Sequence, residues 1–529
     1  MSQNRSLAAH WAELAAQVEQ DLLARMPENK LRPRLEPTRQ AVQLLGDPQH
    51  SYRVIHVTGT NGKTSTTRFI ERILREHGLR TGRFTSPHLI RINERISIDG
   101  EPVSDEVLWT LWQDTKPILE IVDAQLEAQG EPRLTYFEAL AALAFNIFAD
   151  APIDVLVLEV GMGGAWDSTN VADGDVAVFT PIGLDHTDRL GNTITEIAET
   201  KSGIIKPNAI VVSSPQVAEA TEVIKAQAAA IGDAWAQLGE HFVVLSSEVE
   251  GFGQRFSVKG LAGEYQNLFL PILGGYQVEN VAVAIAAVES FLGGGTQRIM
   301  DDVLRVALAD SSSPGRLQVV SREPLTVLDA AHNPHGARVL AETLRESFHV
   351  DRFIGVVGVL AEKDAAGILR ALEPVLEEVV ITQSTSDRAI TADELADLAI
   401  EIFGEHRVRV THHVATAMLD AQQMVEEGIG QAIIVTGSIS LVGDALKLQQ
   451  AQDQVDFDDD LNDDFDENNP DGSSAESGEM VESEGFEDLA EEDFKARESE
   501  GLDYSDDDFE NEDDSFDDDS EENEDKLNG

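Results

Sequence analysis

Residues 56–66, HVTGTNGKTST, put two glycines, a lysine and a run of hydroxyls where a β-branched stretch gives way to a helical pattern. A helix start offers unpaired N–H groups and the positive end of the helix dipole, so such a corner suits an anion. Gly59 and Gly62 let the main chain wrap closely, and Lys63 adds a point charge for outer phosphates. Thr60, Asn61 and Gly62 complete the loop, and Thr64 and Ser65 bring hydroxyls to the first helical turn. The expected ligand is ATP. The alternative is an ordinary strand–helix turn carrying a surface lysine.

The elements that must hold this corner alternate along the chain. YRVIHVTG reads as a buried strand and KTSTTRFIERILREHG as a helix ended by Gly78. IDVLVLEVG (153–161), VAVFTPIG (176–183) and AIVVSS (209–214) are further apolar strands, which predicts a parallel sheet covered on both faces. A second series, LTVLDAA, FIGVVGVL, VVITQS and AIIVTGS, predicts a smaller α/β domain. SSSPGRLQVV (311–320) supplies a turn-rich boundary, and period-two patterning between 241 and 275 predicts an antiparallel hairpin at the first domain's edge. The expected division is 1–312, with an N-terminal helical segment, then 313–450, then a tail over 451–529.

Charge separates the tail from the rest. Of a net −58, residues 451–529 carry −33, from 36 acids against 3 bases. Such a composition cannot bury enough apolar surface to offset ordering, so disorder is expected. There is no cysteine, which excludes disulfides and thiolate chemistry. The first 30 residues lack the unbroken apolar core of a signal peptide, and no apolar run approaches membrane-spanning length. A cytoplasmic monomer acting on small molecules is expected, with neither membrane nor nucleic acid as partner, since an acidic body repels phosphate backbones.

The short loop resembles that of the Mur ligase superfamily, and further motifs narrow the resemblance. FTSPHLIRINERI (84–96), TYFEALAALAF (135–145), LEVGMGGAWDSTN (158–170), IGLDHTDRLGNTITEIAETKSGIIK (182–206) and LDAAHNPHGA (328–337) stand in the order seen in folylpolyglutamate synthase/dihydrofolate synthase. The resemblance spans about residues 30–450. It implies a P-loop-type, doubly wound parallel sheet domain followed by a Rossmann-like α/β domain. It also implies ATP-dependent addition of L-glutamate to a pteroate or folate carboxylate through an acyl phosphate. Such chemistry is mostly positioning and cations.

The site residues implied by this resemblance each have a plainer alternative. Ser86, Glu159 and His186 match magnesium ligands, with two ions expected; Ser86 could be a turn serine, and Glu159 a helix cap. Asp185 could orient the His186 imidazole. Lys201 matches a carbamylated lysine, whereas an isolated helical lysine is usually solvated. Arg316 matches a phosphate contact or forms an interdomain salt bridge. Asp329 matches a ribose or base contact, Asn280 an adenine contact or helix-start polar residue, and His332 a nucleotide neighbour or helix-entry residue. For the pterin the resemblance points to Arg32, Pro33 and Arg34, to Thr135, Tyr136, Phe137 and Glu138, and to Trp166, Asp167 and Ser168, although aromatics such as Tyr136 and Phe137 are more often core.

This chain departs from the family pattern at Thr64, Ala165 and Tyr276, where glycine, arginine and histidine are common. A muramyl-type amino-acid ligase is the alternative enzyme. A nucleotide-binding scaffold without catalysis is the alternative of another class, against which Ser86, Glu159, His186 and Lys201 argue.

Overall fold

Alternate residues of the central strands feed two separate apolar layers, which makes the first sheet two-sided. In the computed structural model, which describes residues 2–27, 33–348 and 350–452, eight strands form this sheet. They are β1 (Arg53–Thr58), β2 (Thr81–Phe84), β3 (Ile96–Ile98), β4 (Glu101–Pro102), β5 (Val155–Glu159), β6 (Val176–Phe179), β7 (Ile210–Ser213) and β8 (Ala234–Gln237). Their order is β4-β3-β2-β5-β1-β6-β7-β8. All pairs are parallel except β2–β3 and β3–β4, so an antiparallel edge caps the expected parallel sheet.

The helices of this unit are α1 (Ser2–Leu23), α2 (Glu36–Leu44), α3 (Lys63–Glu76), α4 (Asp105–Ala128), α5 (Tyr136–Asp150), α6 (Thr187–Leu190), α7 (Ile194–Ser202), α8 (Ala218–Ile231), α9 (Gly275–Gly293) and α10 (Asp301–Ala309). Ile55 and Val57 of β1 pack with Phe69, Ile70 and Ile73 of α3 and with Val281 and Ile285 of α9. Val54 faces the opposite layer, with Trp112 of α4 and Leu140 of α5. The segment expected as a hairpin is a three-stranded antiparallel sheet, β9 (Val243–Glu250), β10 (Gly253–Lys259) and β11 (Glu264–Leu270). Phe256, Val258 and Leu268 place it over α9 in the same core.

The second unit has strands β12 (Gln318–Arg322), β13 (Leu325–Asp329), β14 (Phe353–Val357), β15 (Leu376–Ile381), β16 (Val408–Val410) and β17 (Ala432–Thr436), ordered β12-β13-β17-β14-β15-β16. Helices α11 (Pro334–Ser347), α12 (Ala365–Leu372), α13 (Ala392–Phe403) and α14 (Val414–Glu426) connect them, and a last helix covers 439–452. The stretch 311–320, expected as a turn-rich boundary, is only partly irregular: Gln318 opens β12, which pairs antiparallel with β13. Residues 451 and 452, expected as tail, finish the last helix. The remainder of the tail, from 453 onward, and Arg32 lie outside the described residues.

Candidate active site

β1 lies between β5 and β6: the chain passes from β1 to β2 on the β5 side and later crosses from β5 over β1 to β6. Ligands of open α/β sheets bind at such a switch point beyond the strand ends. A cavity of about 230 Å³ opens there. Its walls include Gly59 to Ser65, Ser86, Glu159, Asp185, His186, Lys201, Tyr276, Asn280, Arg316, Asp329, Ala331, His332 and His335. The structure thus brings together the loop residues and every residue matched to metal, nucleotide or carbamate.

Gly62, at φ +85°, precedes α3, and a Cβ there would lie 2.8 Å from the Asn280 amide oxygen. At Gly59 a Cβ would collide with Thr180, so both glycines are required by close approach. The Thr60 hydroxyl bonds the Gly183 main chain, donating to its carbonyl (3.1 Å) and accepting from its N–H (3.0 Å). Ser65 Oγ meets Ser313 Oγ at 2.9 Å, which ties the helix start to the interdomain segment.

Three cations in this cleft rest on main-chain carbonyls. Lys63 Nζ donates to Gly59 (3.2 Å) and Thr60 (3.3 Å), Lys201 Nζ to Gly59 (2.8 Å), and an Arg316 N–H to Ala330 (3.1 Å). Among the described residues none of the three has an ion-pair partner, so the interdomain salt bridge that was the alternative for Arg316 is not formed. Lys201 is only 3% exposed, which removes the solvated alternative. A capping box of Thr193 and Glu196 starts α7 and brings Lys201 into its last turn. Burial first and the Lys63 charge second pull its amine down to about 7.

Glu159 ends β5 and is 1% exposed. Its Oε1 accepts from the Thr64 hydroxyl (2.9 Å), while buried Oε2 has no hydrogen-bond partner among the described residues. Burial raises its pKa, with Lys63 as the largest opposing influence. Burial, then the Lys363 charge, lowers the His186 imidazole to about 4, which keeps it neutral and able to ligate. An orphaned carboxylate oxygen, a neutral imidazole and the Ser86 hydroxyl fit a hard divalent cation. Among the described residues, however, no three His, Asp or Glu groups form a ready-made metal cage.

Asp185 does not orient the His186 ring, whose Nε2 stays 4.0 Å away. Its carboxylate instead accepts from Lys363 Nζ (3.0 Å) and Asn333 Nδ2 (3.3 Å), both of the second domain. Asn61 extends this clasp, meeting Asn333 at 3.2 Å and the His335 ring at 2.8 Å. Burial alone would raise the Asp185 carboxyl, but His186, Lys363 and His332 outweigh it and hold it below the ordinary range. Asp329 accepts from the N–H groups of Leu317 and Ala331, both at 2.9 Å. Asn280 lies inside α9 rather than at its start, its amide bonded to Gln277 (3.1 Å). His332 bonds the Ala330 carbonyl at 2.9 Å, and burial takes its imidazole down to about 3.

Among the described residues, none of those matched to the pterin lines this cavity. Arg34 grips Glu138 with two 2.9 Å bonds, and Glu138 closes a capping box with Thr135 at the start of α5. Phe137 is core, packed against Phe84, and the Tyr136 ring lies 5.4 Å from the Arg95 guanidinium. Asp167 accepts from the N–H of Met162 (2.8 Å) and Thr169 (2.9 Å), Ser168 bonds Thr38 (3.2 Å), and Trp166 packs at the edge of the α7–α8 core. Pro33 is exposed.

The Mur ligase middle domain family matches residues 57–288, and the Mur ligase glutamate ligase domain family matches 315–439. The chain is 42% identical to the dihydrofolate synthase/folylpolyglutamate synthase of Mycobacterium tuberculosis, over 82% of this chain and 93% of that one. It is 35% identical to the protein of the same name from Bacillus subtilis, over 79% and 95%. The crystal structure of Mycobacterium tuberculosis folylpolyglutamate synthase complexed with ADP and AMPPCP superposes with a TM-score of 0.79, at 40% identity over 83% and 99% of the two chains. Among the described residues no helix is long and apolar enough to cross a membrane. With two domain matches, this identity and this shared fold, the chain belongs to the dihydrofolate synthase/folylpolyglutamate synthase family of Mur ligases and is an enzyme of the ligase class.

Proposed function

We propose that this chain uses ATP to join L-glutamate to dihydropteroate, to the glutamate chain of a tetrahydrofolate, or to both. The observation that carries the reading is Glu159, a buried carboxylate with one unpartnered oxygen beside a loop whose cations rest on carbonyls. Lys63 and the N–H groups of the first α3 turn bind the nucleotide phosphates, and Arg316 approaches them from the second domain. A substrate carboxylate oxygen bonds to the γ-phosphorus as ADP departs, and the resulting acyl phosphate takes up the glutamate nitrogen as phosphate leaves. Ser86, Glu159 and His186 would hold magnesium, which withdraws charge from the phosphate oxygens. Asn280 and Asp329 orient the nucleoside, with His332 beside it. We assign phosphate binding to residues 1–312, the glutamate-ligase half of the site to 313–450, and the working state to a cytoplasmic monomer. The test is product analysis with dihydropteroate and with a tetrahydrofolate, run side by side with ATP and glutamate. ATP consumption without a glutamylated product from either overturns the reading.

A further inference from the structure

Leu89 and Ile90 belong by sequence to the first domain, yet they pack on the second domain's core beside Leu441, Val442 and Leu446. They sit on the loop that follows β2, whose Ser86 and Pro87 line the cleft. The first domain holds this loop firmly, since the Glu94 carboxylate accepts from the N–H groups of Leu89 (2.8 Å), Ile90 (2.8 Å) and Arg91 (2.7 Å). From the other side, the 439–452 helix approaches through Gly443. A Cβ at Gly443 would lie 2.2 Å from the Leu89 carbonyl oxygen. Gly315, at φ +67°, closes the seat: a Cβ there would meet Val442 at 3.1 Å and a Leu89 methyl at 3.2 Å. Ser86 stands three residues before Leu89 and lines the same cleft as Glu159. A shift of Leu89 is therefore passed along a short, tethered loop to the cleft.

We propose that the seating of Leu89 between Gly315 and Gly443 sets where Ser86 stands, which makes Leu89 and Gly443 positioning residues for the ligase reaction. This rests on the reading of Ser86 as a magnesium contact. At this seat second-domain docking completes the first domain's half of the site through packing, in addition to the charged Asp185–Lys363 clasp.

Gly443→Ala is the direct test. Its methyl forces the Leu89 main chain away by on the order of 1 Å, and a misplacement of that size costs up to about 10²-fold in rate. Alanine is the better helix former, so the last helix is not weakened. The expected result is a kcat lower by about 10- to 100-fold, a several-fold rise in half-saturating magnesium, and an unchanged or higher Tm. Calorimetric titration with AMPPCP, with and without magnesium, should show the loss only in the magnesium-dependent part of the affinity. Leu89→Ala should shift the same readouts in the same direction, and Leu89→Met should restore them. Parental kcat and magnesium response in Gly443→Ala overturn the proposal, as does a loss that the magnesium-free affinity shares. Ser86→Ala separates the two levels: if it alone is impaired, only the seating is wrong; if it is unimpaired, the reading of Ser86 falls and the seating with it.

Discussion

Carbamylation of Lys201 requires a neutral amine, because the nitrogen lone pair must attack carbon dioxide and release a proton. At an amine pKa of 10.5 only about three molecules in ten thousand are neutral at pH 7, whereas at about 7 roughly half are. Burial and the neighbouring Lys63 therefore raise the reactive fraction by about three orders of magnitude. Since the neutral form is needed, bicarbonate-dependent activation should increase as the pH rises through 7. The unfolded chain binds more protons than the ligand-free fold between 7 and 10.5, so stability should rise with pH across that window. Lys201→Ala should lose about 10²–10³ in kcat and recover part of it with added small carboxylates, which substitute for the carbamate's charge. Lys201→Arg keeps a cation that cannot be carbamylated and should stay inactive. A purely structural role predicts otherwise: losing the 2.8 Å bond to Gly59 would loosen the loop, and no carboxylate would mend it. The assay is carbon-13 NMR of protein equilibrated with labelled bicarbonate, followed by turnover of the same sample. No carbamate resonance, together with bicarbonate-independent turnover, would refute the reasoning.

Glu159→Gln keeps the acceptor for Thr64 but removes the charge, so turnover should fall about 10²–10³-fold with the fold intact; near-parental turnover with an unchanged magnesium response would end its assignment. A double-mutant cycle of Asp185→Ala and Lys363→Ala should show a coupling on the order of 1–3 kcal/mol in denaturant unfolding, and additive effects would show that the clasp is weak. Because the Asp185 carboxyl is held below its ordinary 3.8, this clasp should be intact above pH 4 and be lost as the pH falls further. A chain ending at Gln452 should have the same kcat and KM as the full chain at low and high salt; lost activity would place catalytic residues in the acidic segment, and a lower KM at low salt would show that it competes for the cleft.

The parts of the fold that were legible are those written in apolar runs or in unusual local motifs. β1, β5, β6 and β13 to β15 are buried along most of their length and read as continuous strands. β2 reads poorly because its TGRF carries a buried ion network in place of apolar residues: Arg83 is 4% exposed and bonds Glu71 at 3.2 Å. β12 was hidden by the serines and Pro314-Gly315 before it, since only tertiary pairing with β13 makes it a strand. Thr135 and Glu138 carried a readable capping-box signature, which explains their hydrogen bonds without any ligand. Lys363, by contrast, gave no local signal. It lies 178 residues from Asp185, and only the docking of two domains distinguishes it from a solvated lysine.

The least legible feature, and the most informative, is the pair of ammonium groups that share one acceptor. Lys63 and Lys201 both donate to the Gly59 carbonyl, at 3.2 and 2.8 Å, with no carboxylate paired to either among the described residues. Both protonated, two like charges on one buried carbonyl would destabilise the ligand-free fold, and burial together with this repulsion takes the Lys201 amine down to about 7. The arrangement is relieved in two ways that point to the same chemistry. A polyphosphate would supply the missing negative charge to Lys63, and the carbamylation tested above would turn Lys201 from a cation into an anion. The chain is otherwise acidic, at net −58, so a cleft of uncompensated cations is not a general property of its surface. It is a local charge imbalance that suits the anions of the proposed reaction, and Glu159, with its unpartnered oxygen, is where the proposed magnesium would come between them.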